Sequence, residues 1–568
     1  MPPRKRVKCG LFKLEPVPAA PLPACCIRTF LRKLYVSQEV PMEKVMYLKD
    51  LNEKLNELYY QCNIAAWNLS TTGKDEYAAQ AEHADLAMRL FLADKERFDT
   101  VNAMLAADSL EEFERRQLTL IHDMMVENQL DKETLQQLVS QQIALQGITT
   151  KFRGTIDGRE VNNKQIEEIL RTSTDDDLRK KAWLASKQVG AVLEPGLMEL
   201  IKLRNESAVK LGYANYYEMQ IQLQEFDGAW LKQTLESYRD QTDTLFRRVK
   251  DSIDQAVGQR LGVDPSQLMP WHMSDMFFQE APRTSDVDLG VYFEGKGDHI
   301  IEELATATYD AIGLDIRDII ARSDLYERAG KDQHAFCMHL DNKGDVRVLA
   351  NLRPNETEME TLLHEMGHAC YDKYTDMSLP EVLRQPAHIF TTEAVAMFFG
   401  RMARDPKWYK QMVGIDDANL QKLQADLPVA IRNQMLVATR WITHFALFER
   451  ELYRTEKSDS RLWYQGVQNI QYLNAPEERF EKPDWAAKYH FAMAPVYYHN
   501  YLLGEMLASQ FDHTLRAKAD GKVLTPEGGR WFVGNVFTPG SKYSWNTMIE
   551  HTTGEQLNPS YLVQQFNY

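Results

Sequence analysis

The run Thr361-Leu-Leu-His364-Glu365-Met-Gly-His368-Ala-Cys370 constrains the fold more than any other stretch of the chain. Pro354 and Asn355 precede it, and Asn355 with Glu358 has capping-box spacing, so the run predicts a helix. Four residues advance a helix by about 400°, which puts His364 and His368 one turn apart on the same face. Two imidazoles so placed grip one metal ion. Glu365, next to the first of them, is positioned as a general base rather than as a ligand. A bare motif of this kind also fits a solvated helix with two histidines, and a downstream carboxylate tips the balance. Phe390-Thr-Thr-Glu393-Ala-Val-Ala-Met-Phe-Phe sets one acid on an otherwise apolar helical strip. An ionised Glu is rarely buried without a partner. Glu393 is therefore the expected third ligand, and one Zn2+ per chain is the expected ion, since zinc accepts imidazole and carboxylate and a catalytic site keeps a position open. Residues 374–389, with Pro380 and Pro386, are long enough to fold the second helix back beside the first.

A chain of 568 residues with 44% hydrophobic and 10% aromatic residues has ample material for a large core. The formal charge of −16, with no basic stripe beyond the first residues, disfavours nucleic acid and anionic membranes as partners. Cys9, Cys25, Cys26, Cys62, Cys337 and Cys370 form no C-x-x-C pair, which argues against a disulfide scaffold or a thiolate zinc site. No window reaches the length of a membrane span. The start, Met-Pro-Pro-Arg-Lys-Arg-Val-Lys, has a charged n-region, yet Lys13, Glu15 and four prolines from Pro16 to Pro23 interrupt the apolar run a cleavable signal requires. The expectation is a cytoplasmic protein with residues 1–41 as an N-terminal extension.

From Met42 the apolar spacing is helical. Helices are predicted from residue 42 and over residues 77–92, 111–126, 132–147, 164–171, 175–189, 193–211, 213–224 and 230–261, with Gly and Asp/Ser/Thr at the breaks. Residues 263–297, rich in Pro and Gly, suit a connection between lobes. The strands expected are residues 333–340 and 345–349, joined by the hairpin signal Asp341-Asn342-Lys343-Gly344. A strand there can pair with an extended peptide. After Glu393 helix is predicted through Arg454, kinked or broken at Pro428. Lys488-Tyr-His490 and Tyr497-Tyr498-His499-Asn500-Tyr501 then gather titratable and phenolic groups densely.

These motifs together resemble the angiotensin-converting enzyme family of zinc peptidyl-dipeptidases, and more distantly thimet oligopeptidase and oligoendopeptidase F. The likeness covers nearly everything from Met42 onward. It is carried by Tyr47-Leu-Lys-Asp-Leu-Asn and Ala65-Ala-Trp67-Asn68, by His364-Glu-Met-Gly-His368, by Leu379-Pro and Leu383-Arg384, and by Thr392-Glu393-Ala. The resemblance implies roles for further residues. His334 and Ala335 would hold the substrate backbone at an edge strand. Lys488, Tyr498 and Gln279 would bind its terminal carboxylate, with His490 on a substrate carbonyl and Tyr501 on the oxyanion. Met397 stands where the family has an Asp that orients the first zinc-binding His. Asn500 replaces a chloride-binding Arg, and the cysteines of the animal enzymes' disulfides have no counterpart.

The resemblance implies a mainly α fold, residues 42–568 forming one domain with two helical lobes around a deep substrate groove and a small hairpin or sheet beside the zinc helix. It implies a zinc metallopeptidase acting on short peptides with a free C-terminus and releasing dipeptides. An oligoendopeptidase and an inactive peptide-binding scaffold are the alternatives.

Overall fold

The computed structural model describes residues 42–107, 110–282, 287–518 and 523–566; the N-terminal extension expected over residues 1–41 lies outside them. The chain is mainly α. Its first third is a succession of helices, α1 (Met42–Thr72), α2 (Asp75–Leu92), α3 (Lys95–Leu105), α4 (Glu112–Val126) and α5 (Lys132–Lys151). Strands β1 (Gly154–Ile156) and β2 (Arg159–Val161) pair antiparallel before α6 (Asn163–Thr172). This hairpin lies outside the strands expected from the sequence, although its signal is present. Asp157 and Gly158 form the two-residue turn with φ of 48° and 77°, the positive values that Asp-Gly supplies in a hairpin.

The two helices expected over residues 175–189 and 193–211 are one, α7 (Asp176–Lys210), which runs through Pro195. Leu193, Leu197, Leu200 and Ile201 are buried on its core face, and that packing outweighs the hydrogen bond a helical proline loses. Gly190, which suggested a break, is a contact point: a Cβ there would lie 2.4 Å from the Pro483 carbonyl oxygen. Helices α8 (Tyr216–Leu223) and α9 (Gly228–Leu261) follow, then an irregular stretch, α10 (Ile300–Ala311) and α11 (Arg317–Arg322).

Strands β3 (Phe336–His339) and β4 (Val346–Leu349) form the second hairpin, in the register Phe336 to Leu349 and His339 to Val346. They are shorter than the sequence suggested. Helix α1 lies along this hairpin: Asn63 Nδ2 donates to the His339 carbonyl at 3.0 Å, Asn56 Nδ2 donates to the Asp341 carbonyl at 3.0 Å, and Trp67 meets Phe336 edge-on.

Next come α12 (Glu356–Tyr374) and α13 (Ile389–Gly400). Asn355 Oδ1 accepts from the Glu358 N–H at 2.9 Å and starts α12 where the sequence placed its cap. Helix α13 is apolar over most of its surface and largely buried, with Glu393 as its one acid. It packs between α12 and α16 (His499–Lys518), in the largest cluster of buried side chains, with Leu363, Met366, Phe390, Val395, Phe399, Leu503 and Met506. The helix predicted through Arg454 is interrupted after Gly400 by short turns over Arg401–Val413, and Gly414 takes φ of 79°. Helix α14 (Asp417–Thr455) then continues through Pro428, and α15 (Ser460–Ile470) precedes α16. Among the described residues no helix is long and apolar enough to cross a membrane, and Cys62, Cys337 and Cys370 are free thiols.

Candidate metal centre

Helices α12 and α13 bring His364, His368 and Glu393 together. Their donor atoms all lie within 4.8 Å of one another. His364 Nε2 and His368 Nε2 are 3.2 Å apart, and Glu393 Oε2 lies 3.7 Å from the first and 4.0 Å from the second. The donor set fits zinc in two respects. Burial drives both imidazoles towards the neutral form a metal needs, pushing His364 down to about 4 and His368 well below its ordinary value, with His364 adding to the latter. His368 Nδ1 is 2.7 Å from Thr392 Oγ1. In the tautomer that donates to Thr392, Nε2 keeps its lone pair and points at the other two donors. The side chains remain 28%, 16% and 14% exposed, which leaves one side of the trio open.

Glu365 lies beside the trio and accepts a hydrogen bond from the Cys337 backbone N–H of β3. Burial and the nearby Glu393 charge push its carboxyl up to about 8, against the pull of that N–H. A carboxylate held so is basic for its type and suits proton abstraction near neutrality. Behind the centre, Arg401 pairs with Glu505, and Arg404 with Glu360 and, at 3.0 Å, with Glu356. Glu505, although paired, still adds to the upward shift that burial imposes on the Glu393 carboxyl.

A second group forms from segments far apart in sequence. Lys488 Nζ donates to Gln279 Oε1 at 2.8 Å and lies over the rings of Trp441, Tyr498 and Phe277 at 5.4, 5.6 and 5.6 Å. Trp441 Nε1 donates to the Tyr498 hydroxyl at 2.8 Å, which leaves that hydroxyl's own proton free to donate elsewhere. Gln279 is presented by a tight turn around the buried Asp275, whose carboxylate accepts from the N–H groups of Phe277, Gln279 and Glu280 at 2.8, 3.1 and 3.0 Å. That clamp holds Phe278 at φ of 53°, a left-handed value unusual for a bulky residue. Beside Tyr498 stand His490, whose ring centroid is 4.8 Å from that of Tyr498, and Tyr501, 5.3 Å from Tyr498. Burial, aided by the Lys488 charge, lowers His490 to about 3, and its buried Nδ1 has no hydrogen-bond partner among the described residues. Burial and the Glu393 charge hold the Tyr501 phenol protonated, at about 12.

Residues 39–274 match the family described as Angiotensin-converting enzyme, and residues 319–568 match Peptidase family M3. Over 417 residues the chain is 22% identical to "Angiotensin-converting enzyme" of Mesocricetus auratus, an alignment spanning 67% of this chain and 31% of that protein. Two stretches of the chain are thus similar to two peptidase families, residues 39–274 to angiotensin-converting enzyme and residues 319–568 to the M3 peptidases. The chain spans about a third of the length of the curated relative it matches.

Against the angiotensin-converting enzyme pattern, Met397 offers no acceptor to orient His364. Its sulfur lies towards Gly504, 3.2 Å from where a Cβ on that glycine would stand. Thr392 supplies the supporting hydrogen bond instead, to His368. Asn500 is buried and donates to Gln224 Oε1 at 3.1 Å. His334 is exposed in the loop before β3, its N–H bonded to Asp332, with Ala335 half-buried beside it. The strand residue that reaches the general base is Cys337. Tyr497, to which the sequence assigned no role, meets Tyr501 edge-on, and burial together with the same Glu393 charge raises its phenol. Lys187 was also missed: it is buried against Phe277 and donates to the Met276 carbonyl at 2.7 Å, bracing the Gln279 turn.

Gly367 sets the distance between the two ligand helices. A Cβ at this position would lie 2.8 Å from Ala396 Cα, so α13 would have to move. Gly367→Ala gains intrinsic helix propensity but forces the helices apart at a cost of about 1–3 kcal/mol. The expected result is zinc affinity reduced roughly tenfold or more in a chelator competition assay, because the donors no longer converge.

Proposed function

We propose that this chain is a zinc-dependent metallopeptidase that hydrolyses oligopeptides and releases C-terminal dipeptides. The observation that carries the reading is the convergence of His364, His368 and Glu393 beside the basic carboxylate of Glu365; the matches to two peptidase families support it. Those three residues would hold zinc, which when bound supplies Lewis-acid polarisation of a carbonyl and a more acidic water. Glu365 takes a proton from the attacking water on its carboxylate and passes it to the leaving amine. The Cys337 N–H fixes the orientation of that carboxylate. Tyr501, held protonated, donates its O–H to the developing oxyanion, and His490 contacts a substrate carbonyl. Loss of one such donor costs about 10²–10³ in rate.

Lys488, Gln279 and Tyr498 bind the free terminal carboxylate of the peptide. The Lys488 bond occupies the Gln279 amide oxygen, so the amide N–H₂ is turned to donors' work alongside the ammonium and the phenol. A groove that admits extended peptides and excludes folded proteins belongs to the same reading. Internal cleavage is the second reading, because the half that bears the trio matches a different peptidase family from the N-terminal half.

Hydrolysis of a short peptide and its C-terminally amidated twin, followed by mass spectrometry with and without a zinc chelator, tests the reading. A dipeptide released from the free peptide only, and lost on chelation, is expected. Internal cleavage of both twins would select the second reading, and no cleavage by zinc-loaded protein would sink both. The anchor also predicts a pH dependence. Burial, offset in part by Asp275 and Glu280, lowers the Lys488 ammonium to about 8. A lysine is cationic below its pKa, so the anchor is charged at neutrality and loses its charge as pH rises through about 8. The ratio of kcat/KM for the free peptide over the amidated one, roughly tenfold or more at neutral pH, should fall across that range. In Lys488→Met the ratio should be low and flat.

A further inference from the structure

Asp372 continues the metal-facing stripe of α12 by one turn. His364, His368 and Asp372 follow at four-residue steps and are neighbours on the helix surface. On the other side of the histidines the stripe carries Glu356 and Glu360, and Arg404 pairs with both. No Lys, Arg or His among the described residues pairs with Asp372, and its side-chain contact is the Cys337 thiol, 4.0 Å from Oδ2. With no cation or strong donor to offset it, burial pushes this carboxyl up to about 7. Cys337 ties the group to the centre, since its backbone N–H goes to Glu365 while its sulfur faces Asp372. The Tyr59 phenol, on α1, feels the Asp372 charge and is hydrogen-bonded to Asn63 and Gln385. Asp372 itself keeps partial exposure.

Resting on the peptidase reading, we propose that Asp372, walled by Tyr59 and Cys337, is a specificity subsite that takes a cationic Lys or Arg side chain of the peptide substrate. A desolvated carboxylate without a counter-charge is costly, and an ammonium or guanidinium from the substrate supplies what the chain withholds. An aliphatic side chain leaves the carboxylate uncompensated, and an acidic one is repelled. The stem of a lysine or arginine has apolar length to lie along the β3 side of the centre while its head reaches Asp372.

The test uses peptides of one sequence in which each position near the cut is in turn Lys, norleucine or Glu. For the wild type, kcat/KM at one position should favour Lys over norleucine by about tenfold or more, and Glu should be worst. Asp372→Asn should bring the Lys to norleucine ratio within about threefold, and Asp372→Glu should restore the preference. Survival of the preference in Asp372→Asn, or its absence at every position in the wild type, overturns the subsite. The same peptides titrated calorimetrically into zinc-loaded Glu365→Gln, with and without Asp372→Asn, separate the two readings. Lys-selective binding abolished by Asp372→Asn, without hydrolysis by the wild type, would sink the peptidase reading and keep the subsite. Hydrolysis without selectivity would do the reverse.

Discussion

Glu365→Gln is expected to lower kcat by about 10²–10⁴ while leaving zinc content and KM close to those of the wild type. The substitution keeps the shape of the side chain, and its amide oxygen can still accept the Cys337 N–H that orients Glu365. What it removes is the basic oxygen. Burial and the Glu393 charge raise the Glu365 carboxyl to about 8, so the native group is an effective proton acceptor and glutamine is none. Steady-state kinetics on a cleaved peptide, with metal content measured on the same sample, checks this. Activity retained within tenfold at full zinc occupancy would mean that another group, such as His490, takes the proton.

Glu393→Gln should abolish the stabilisation that zinc confers. For the wild type, zinc at about 1,000 times its dissociation constant adds about 4 kcal/mol, visible as a rise in Tm. The variant should show little or none of it. Without metal the effect has the opposite sign. Burial, with Glu505 adding to it, raises the Glu393 carboxyl from 4.5 to about 7 in the folded protein. Between those pH values the folded state keeps a proton that the unfolded chain has lost, so the metal-free wild type loses stability as pH rises through that window. Glutamine has no proton to lose. Metal-free Glu393→Gln should therefore melt no lower than metal-free wild type near pH 8, and Tm measured across pH with and without zinc tests both halves. A zinc-dependent rise in Tm as large in the variant as in the wild type would remove Glu393 from the metal site.

The legible parts of the centre were those fixed by local geometry. Helical pitch alone aligns His364 with His368, and the Asn355 cap appears where its residue type predicted. The apolar surroundings of Glu393 signalled a buried acid because an isolated one is so costly. The errors have equally local causes. Pro195 and Gly190 carry breaking signals that are real for an isolated peptide, but α7 is held straight through them by its buried face. The β1–β2 hairpin is too short for strand periodicity to register, and only its Asp-Gly turn announced it.

By itself the sequence determined a mainly α protein with a helix pair that carries the candidate metal ligands, since periodicity, capping and the spacing of the histidines are properties of single segments. Tertiary structure decided which groups meet. Lys488 reaches Gln279 across 209 residues, Cys337 of β3 orients the base on α12, and Thr392 rather than residue 397 steadies a histidine. Among the described residues Asp372 is left without the counter-ion that Glu360 receives. None of these pairings has a sequence signature, because helices and strands are chosen by local energetics while partners across the core are chosen by the packing of whole elements.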